Sequence, residues 1–200
     1  MSLLGINFTI SIAIGGSIQN LLQTNLKPYG ITTDDFMRGS NIASFLANIW
    51  LSSFEVEYQD DIVLASLLQE VGKFILASVV VSEGKEKEFF EKIKLTSIKE
   101  AEYEFLNSTT ASVTAQVFRH WKLSTNLINS IEFVDEISNA DPEFVRRTQI
   151  LDVIRTAANI MEPLSDKSIE KALEKAKKYD LETQSLVASI EELKSKLEQK

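Results

Sequence analysis

The sequence predicts an all-α fold, on three observations. Only 7 glycines and 3 prolines interrupt 200 residues, too few for a turn-rich β-sandwich. Apolar side chains recur at helical spacing through most of the chain. Thr, Ser or Asp stands ahead of several of those runs, where an N-cap belongs. A chain of this length buries roughly 70% of the surface its unfolded form exposes, so it needs no disulfide or metal staple.

The elements follow in order. Residues 1–33 hold one charged side chain, Lys27. The run Leu3–Leu22 has the look of a signal sequence or membrane span. It lacks a basic leader, however, and Asn7, Thr9, Ser11, Ser17, Gln19 and Asn20 interrupt it, so no membrane role is expected. Within it Phe8, Ile10, Ile12 and Ile14 alternate with Thr9, Ser11 and Ala13, a local strand period. Lys27-Pro28-Tyr29-Gly30 is a turn. Thr32 or Thr33 then caps a helix toward Trp50 whose first turn carries Asp34 and Asp35, favourable beside the helix dipole.

An acidic connector, Glu55–Asp61, leads to a central helix over Ile62–Val81. It lacks the spacing of an EF-hand and reads as a solvated loop. The polar residues Ser66, Gln69, Glu70 and Lys73 fall at i, i+3, i+4 and i+7, forming one stripe on a helix otherwise buried. Along that stripe Glu70 and Lys73 are spaced to pair. Gly72 lowers helix stability by about 1 kcal/mol relative to Ala, so its place there points to a close helix–helix approach.

Residues 83–104 alternate Lys and Glu around Phe89, Phe90, Ile93, Leu95 and Ile98, as surface helices with solvated faces do. Thr109 or Thr110 opens a helix through Trp121, and Ser124–Val134 forms a short one. Asp141-Pro142 reads as a capped helix start. Two helices, roughly 166–179 and 182–198, close the chain, and Asp180 is placed to end the first and cap the second. In the last, Leu186, Ile190, Leu193 and Leu197 recur at steps of four, three and four, a pattern for docking on the domain or for a short dimerising coil.

Missing side chains exclude much chemistry. There is no Cys, hence no thiolate nucleophile and no Cys zinc site. The one histidine, His120, sits between Arg119 and Trp121 and forms no His/His metal pair; it is expected to be a surface or half-buried helix residue. A net charge of −8 argues against nucleic acid as a partner.

Three stretches, taken in order, resemble the HDOD domain, the output-type relative of the HD-superfamily phosphohydrolases of bacterial signalling proteins. Ala65–Lys73 is similar to the HD helix, in which an apolar pair precedes His-Asp and then Gly. Glu104-Phe105-Leu106 with Thr110–His120 and Trp121-Lys122-Leu123 resembles the family helix that ends in Trp and Leu-Pro. Asn7–Leu22, with Gly15, is similar to the family's Ala-Ile-Leu-Gly helix, which replaces the strand reading of Phe8–Ile14 by helix. The resemblance spans roughly 5–165 and implies an HDOD-like helical domain over 1–165, apparently without the family's N-terminal lobe. Residues 166–200 are expected as C-terminal helices docked on it.

The resemblance also locates a degenerate HD motif. Gln69-Glu70 stands at the His-Asp pair, Gly39 near the first metal-binding His, and Thr110 and Val134-Asp135 near the later ones. A di-metal phosphohydrolase needs several imidazoles and bridging carboxylates to hold its cations and acidify water. No catalytic residue, metal or cofactor is therefore expected. The resemblance implies a non-catalytic protein-interaction or output domain in bacterial signal transduction, cytoplasmic, with a protein partner and a possible homodimer through 182–200. The alternatives are a degenerate metal-dependent phosphohydrolase using Glu70 and Asp135, and a structural helical protein dimerising through its last helix.

Overall fold

The computed structural model describes residues 25–54 and 56–199. The expected helix over Asn7–Leu22, with Gly15, lies outside them, as does Glu55. Every regular element among the described residues is helical. A short 3₁₀ turn, Lys27–Tyr29, places Pro28 at its start and closes on Gly30 in the left-handed region at φ 72°. Then come α1 (Thr33–Leu51), α2 (Gln59–Leu68), α3 (Gly72–Ser82), α4 (Glu86–Leu95) and α5 (Ile98–Leu106). They are followed by α6 (Thr110–His120), α7 (Thr125–Glu132), α8 (Val145–Ala157), α9 (Asp166–Lys178) and α10 (Thr183–Glu198).

Capping explains most starts. Thr32 and Asp35 form a reciprocal capping box at α1, and Ser97 and Glu100 do so at α5. Thr109, Ser124 and Ser165 cap α6, α7 and α9. The helix expected at Asp141-Pro142 begins later. The Asp141 carboxylate accepts from Glu143 N at 3.0 Å and its carbonyl from Phe144 N at 2.8 Å, so the segment closes a turn and α8 starts at Val145. Asp180 ends α9 in the left-handed region at φ 52°, and Glu182, not Asp180, caps α10.

The central helix is broken, contrary to the sequence expectation. Over Gln69–Phe74 the ladder tightens: Val71, Lys73 and Phe74 donate to carbonyls three residues back. Thr114 of α6 sits in the gap. Its Oγ1 accepts from Gly72 N at 2.9 Å and lies 3.0 Å from the Gln69 carbonyl. A side chain from a neighbouring helix thus accepts from a backbone N–H that a straight helix would pair internally, with its one hydroxyl proton between the Gln69 carbonyl and the Thr110 carbonyl at 2.8 Å. Gly72 makes this approach possible, because a Cβ there would lie 2.5 Å from the Thr110 carbonyl oxygen. The run Gln59–Ser82 is also the one described helical run long and apolar enough to cross a membrane, and 72% of its most apolar window is buried within the domain.

Two apolar cores result. One gathers Phe36, Phe74, Phe89 and Phe118 with Leu127 and Ile131 between α1, α3, α4, α6 and α7. The other joins α1, α8, α9 and α10 around Trp50, Ile154, Ala172 and Leu186. Leu186, Ile190 and Leu193 are buried against the domain, while Leu197 is 41% exposed. The Trp50 indole donates to Ser185 Oγ at 3.0 Å, fixing α10 on α1.

Candidate functional site

The polar residues of the central segment are all buried, so the stripe faces neighbouring helices and not water. Ser66, Gln69, Glu70 and Lys73 are each less than 9% exposed. The break turns Glu70 toward α8 and Lys73 toward α5, and a buried charge network forms around them.

Lys73 is its first cation. Its Nζ lies 2.7 Å from Glu70 Oε2 and 3.5 Å from Glu102 Oε1, donates to Thr110 Oγ1 at 3.1 Å, and stands 4.9 Å from the centre of the Tyr29 ring. Arg155 of α8 is the second. Its Nε donates to Glu70 Oε1 at 2.5 Å and its Nη1 to Asp135 Oδ1 at 2.8 Å. Glu102 of α5 anchors the inner end. It accepts from Tyr29 OH at 2.9 Å, from Thr110 N at 2.6 Å and from the Thr110 hydroxyl. Three carboxylates and two cations leave one net negative charge, dispersed over several donated hydrogen bonds, as buried ions require.

The electrostatics follow the geometry. Burial pushes the Glu70 carboxyl up, but Arg155 and Lys73 outweigh it and hold the group at about 2. Asp135 is likewise penalised by burial yet lowered by Arg155. Burial works against the charged Arg155, and Asp135 with Glu70 overcomes it, so the guanidinium stays charged. Burial and the Glu102 carboxylate together push the Tyr29 phenol well up, keeping it a donor.

Of the five positions assigned to the degenerate motif, Glu70, Thr110 and Asp135 meet in this network. Gln69 adjoins it through the chain; its side chain is 2% exposed with Oε1 unpartnered, and its carbonyl belongs to the break. Gly39 serves packing, since a Cβ there would lie 3.1 Å from the Ile160 Cα. His120 is exposed in the last turn of α6. Asp61, expected in the solvated connector, lies in the first turn of α2 and is tied to Arg147 at 3.3 Å. Sequence reasoning missed Glu102, Tyr29 and Arg155. Glu102 sat inside a Lys/Glu alternation read as solvated, yet it is fully buried. Its position four after Ile98 and three before Phe105, on the apolar side of α5, was the signal.

These residues do not fit a metal. Glu70 turns one oxygen to Arg155 and the other to Lys73, and Asp135 Oδ1 is taken by Arg155. Two fixed cations stand among the carboxylates, and among the described residues no three His, Cys, Asp or Glu side chains are grouped to hold an ion.

The fold and site define a helical domain in which two of the positions assigned to a degenerate HD motif, Glu70 and Asp135, carry internal ion pairs. The family model for the HDOD domain matches residues 1–137, more than half of the chain, and the chain belongs to that family. Arg155, which closes the network, lies beyond the matched stretch. A crystal structure of a virulence factor from Campylobacter jejuni subsp. jejuni superposes with a TM-score of 0.69 at 20% identity, covering 92% of this chain and 72% of that one. The likeness shows a shared fold. No curated protein matches the chain.

Proposed function

We propose that this HDOD domain is a non-catalytic protein-interaction or output module in bacterial signal transduction, working in the cytoplasm without cofactor or metal. One observation carries the reading: the carboxylates at the degenerate HD positions, Glu70 and Asp135, are neutralised by Arg155 and Lys73. Phosphoester hydrolysis by this superfamily's chemistry needs cations with open positions to acidify water. Here the cations are side chains, with no exchangeable position. The network then acts as an internal brace between α3, α5 and α8, leaving the outer faces for partners.

The test is hydrolysis of bis-p-nitrophenyl phosphate by the purified chain supplied with Mn²⁺ or Mg²⁺, beside its Glu70→Gln variant. No turnover above buffer is expected from either. Metal-dependent turnover abolished by Glu70→Gln would overturn the reading and restore the hydrolase alternative.

A further inference from the structure

The turn between α9 and α10 runs against its own sequence. Leu181 N donates to the Ala176 carbonyl at 2.8 Å and Asp180 N to the Lys177 carbonyl at 3.2 Å, the pair of bonds that closes a Schellman turn. Such a turn puts its stop residue in the left-handed region, where glycine is the usual choice. Here the stop is Asp180, at φ 52°. No glycine or proline stands between Asp166 and Glu198, so the stretch holds no strong helix breaker. The turn is held from outside instead: Arg146 of α8 donates to the Tyr179 carbonyl at 2.8 Å and to the Asp180 carbonyl at 3.0 Å.

A heptad register also passes straight through the turn. Ile169, Ala172, Ala176 and Tyr179 of α9 are spaced by three, four and three residues. Leu186, Ile190, Leu193 and Leu197 of α10 are spaced by four, three and four. Thr183 joins the two sets, four after Tyr179 and three before Leu186, so one seam runs from Ile169 to Leu197. Folded back at Asp180, both halves of that seam are spent on the domain: Ala172, Ala176, Leu186, Ile190 and Leu193 are all buried.

We propose that the turn at Asp180–Glu182 straightens and that α10 is exchanged between two copies of this chain. As one helix, Asp166–Glu198 is about 50 Å long. That carries α10 away from its own α1 and bares the groove at Trp50. A second copy opened in the same way presents the same bared groove, already shaped for Leu186, Ile190 and the Trp50–Ser185 hydrogen bond. The exchange is reciprocal about a twofold axis, so it closes at a dimer. Every contact of α10 on α1 is kept, and only the turn changes. Asp180 leaves the left-handed region and the backbone groups of the turn join a helical ladder, gains that oppose the entropy lost on association. Arg146, which gives up its two carbonyls on opening, favours the closed monomer.

The test is light scattering on the full chain refolded from urea over a range of concentrations. A dimer fraction that rises with concentration is expected. In a dimer refolded from mixed isotope-labelled and unlabelled chains, a filtered NOE should join the Trp50 indole proton of one copy to Ser185 of the other. Asp180→Gly suits the left-handed turn and weakens the continuous helix, so the association constant should fall by at least about tenfold. Asp180→Ala should raise it, and circular dichroism should show both variants folded. A chain that stays monomeric at every concentration overturns the proposal. So does a dimer without the intermolecular NOE, or equal association by the Gly and Ala variants, since an interface on other faces ignores residue 180.

Discussion

Arg155 reaches Glu70 across 85 residues of sequence, with Nε 2.5 Å from Oε1, and the same guanidinium holds Asp135. One side chain of α8 thereby ties the α2–α3 break to the segment after α7. The arrangement is specific to arginine, whose fork addresses two carboxylates at once; a lysine would supply a point charge to one.

Arg155→Ala should destabilise the domain by about 3–5 kcal/mol, since it leaves two buried carboxylates without their shared cation. Urea unfolding followed by circular dichroism measures this. The double variant Arg155→Met/Glu70→Gln should lose less than the sum of its single variants, because the charge left unpaired by one change is removed by the other. Strict additivity would show that the pair is not coupled.

Acid should weaken the fold through Glu70. Its folded carboxyl titrates at about 2 against an ordinary 4.5, so the unfolded chain binds the proton first. The stabilisation is complete above 4.5 and is lost as pH falls toward 2. Asp135 is shifted in the same direction and adds to it. Urea midpoints at pH 6, 4 and 3 should fall in that order, and Glu70→Gln should flatten the decline. A wild-type midpoint constant over this range would contradict the network.

Gly72→Ala sets two effects against each other. Helix propensity gains about 1 kcal/mol, but the new Cβ meets the Thr110 carbonyl at 2.5 Å and Thr114 N at 2.9 Å. Both are backbone atoms of α6 and yield only if the helix moves, so overpacking of about 1–3 kcal/mol should prevail. Thermal melting should show a lower Tm. An unchanged or higher Tm would mean that α6 moves aside freely.

Leu186→Ala should detach α10 in part, at about 2–5 kcal/mol. Measured in a Trp121→Phe background, Trp50 fluorescence should shift to longer wavelength at denaturant concentrations where the parent remains native. Coincident emission from the two would show that Trp50 does not depend on α10.

Helix positions were largely legible in the sequence because caps and apolar periods are local: Thr32, Ser124 and the run ending at Lys178 needed no tertiary knowledge. The break after Gln69 was not, since its cause is Thr114 on another helix. Asp141-Pro142 misled because the same residues suit a turn and a helix start. In the site, Glu70 and Lys73 were recognisable as a helical pair. Arg155 carried no local mark, as an arginine in the last turn of a helix suits the dipole wherever it points.

The Trp50–Ser185 hydrogen bond has a consequence during synthesis. The two residues are 135 positions apart, and ribosomes add about 5–20 residues per second. The tryptophan face of α1 therefore waits roughly 7–27 seconds for the helix that covers it. Throughout that interval the Trp50 face of α1 lacks the helix that buries it in the finished domain.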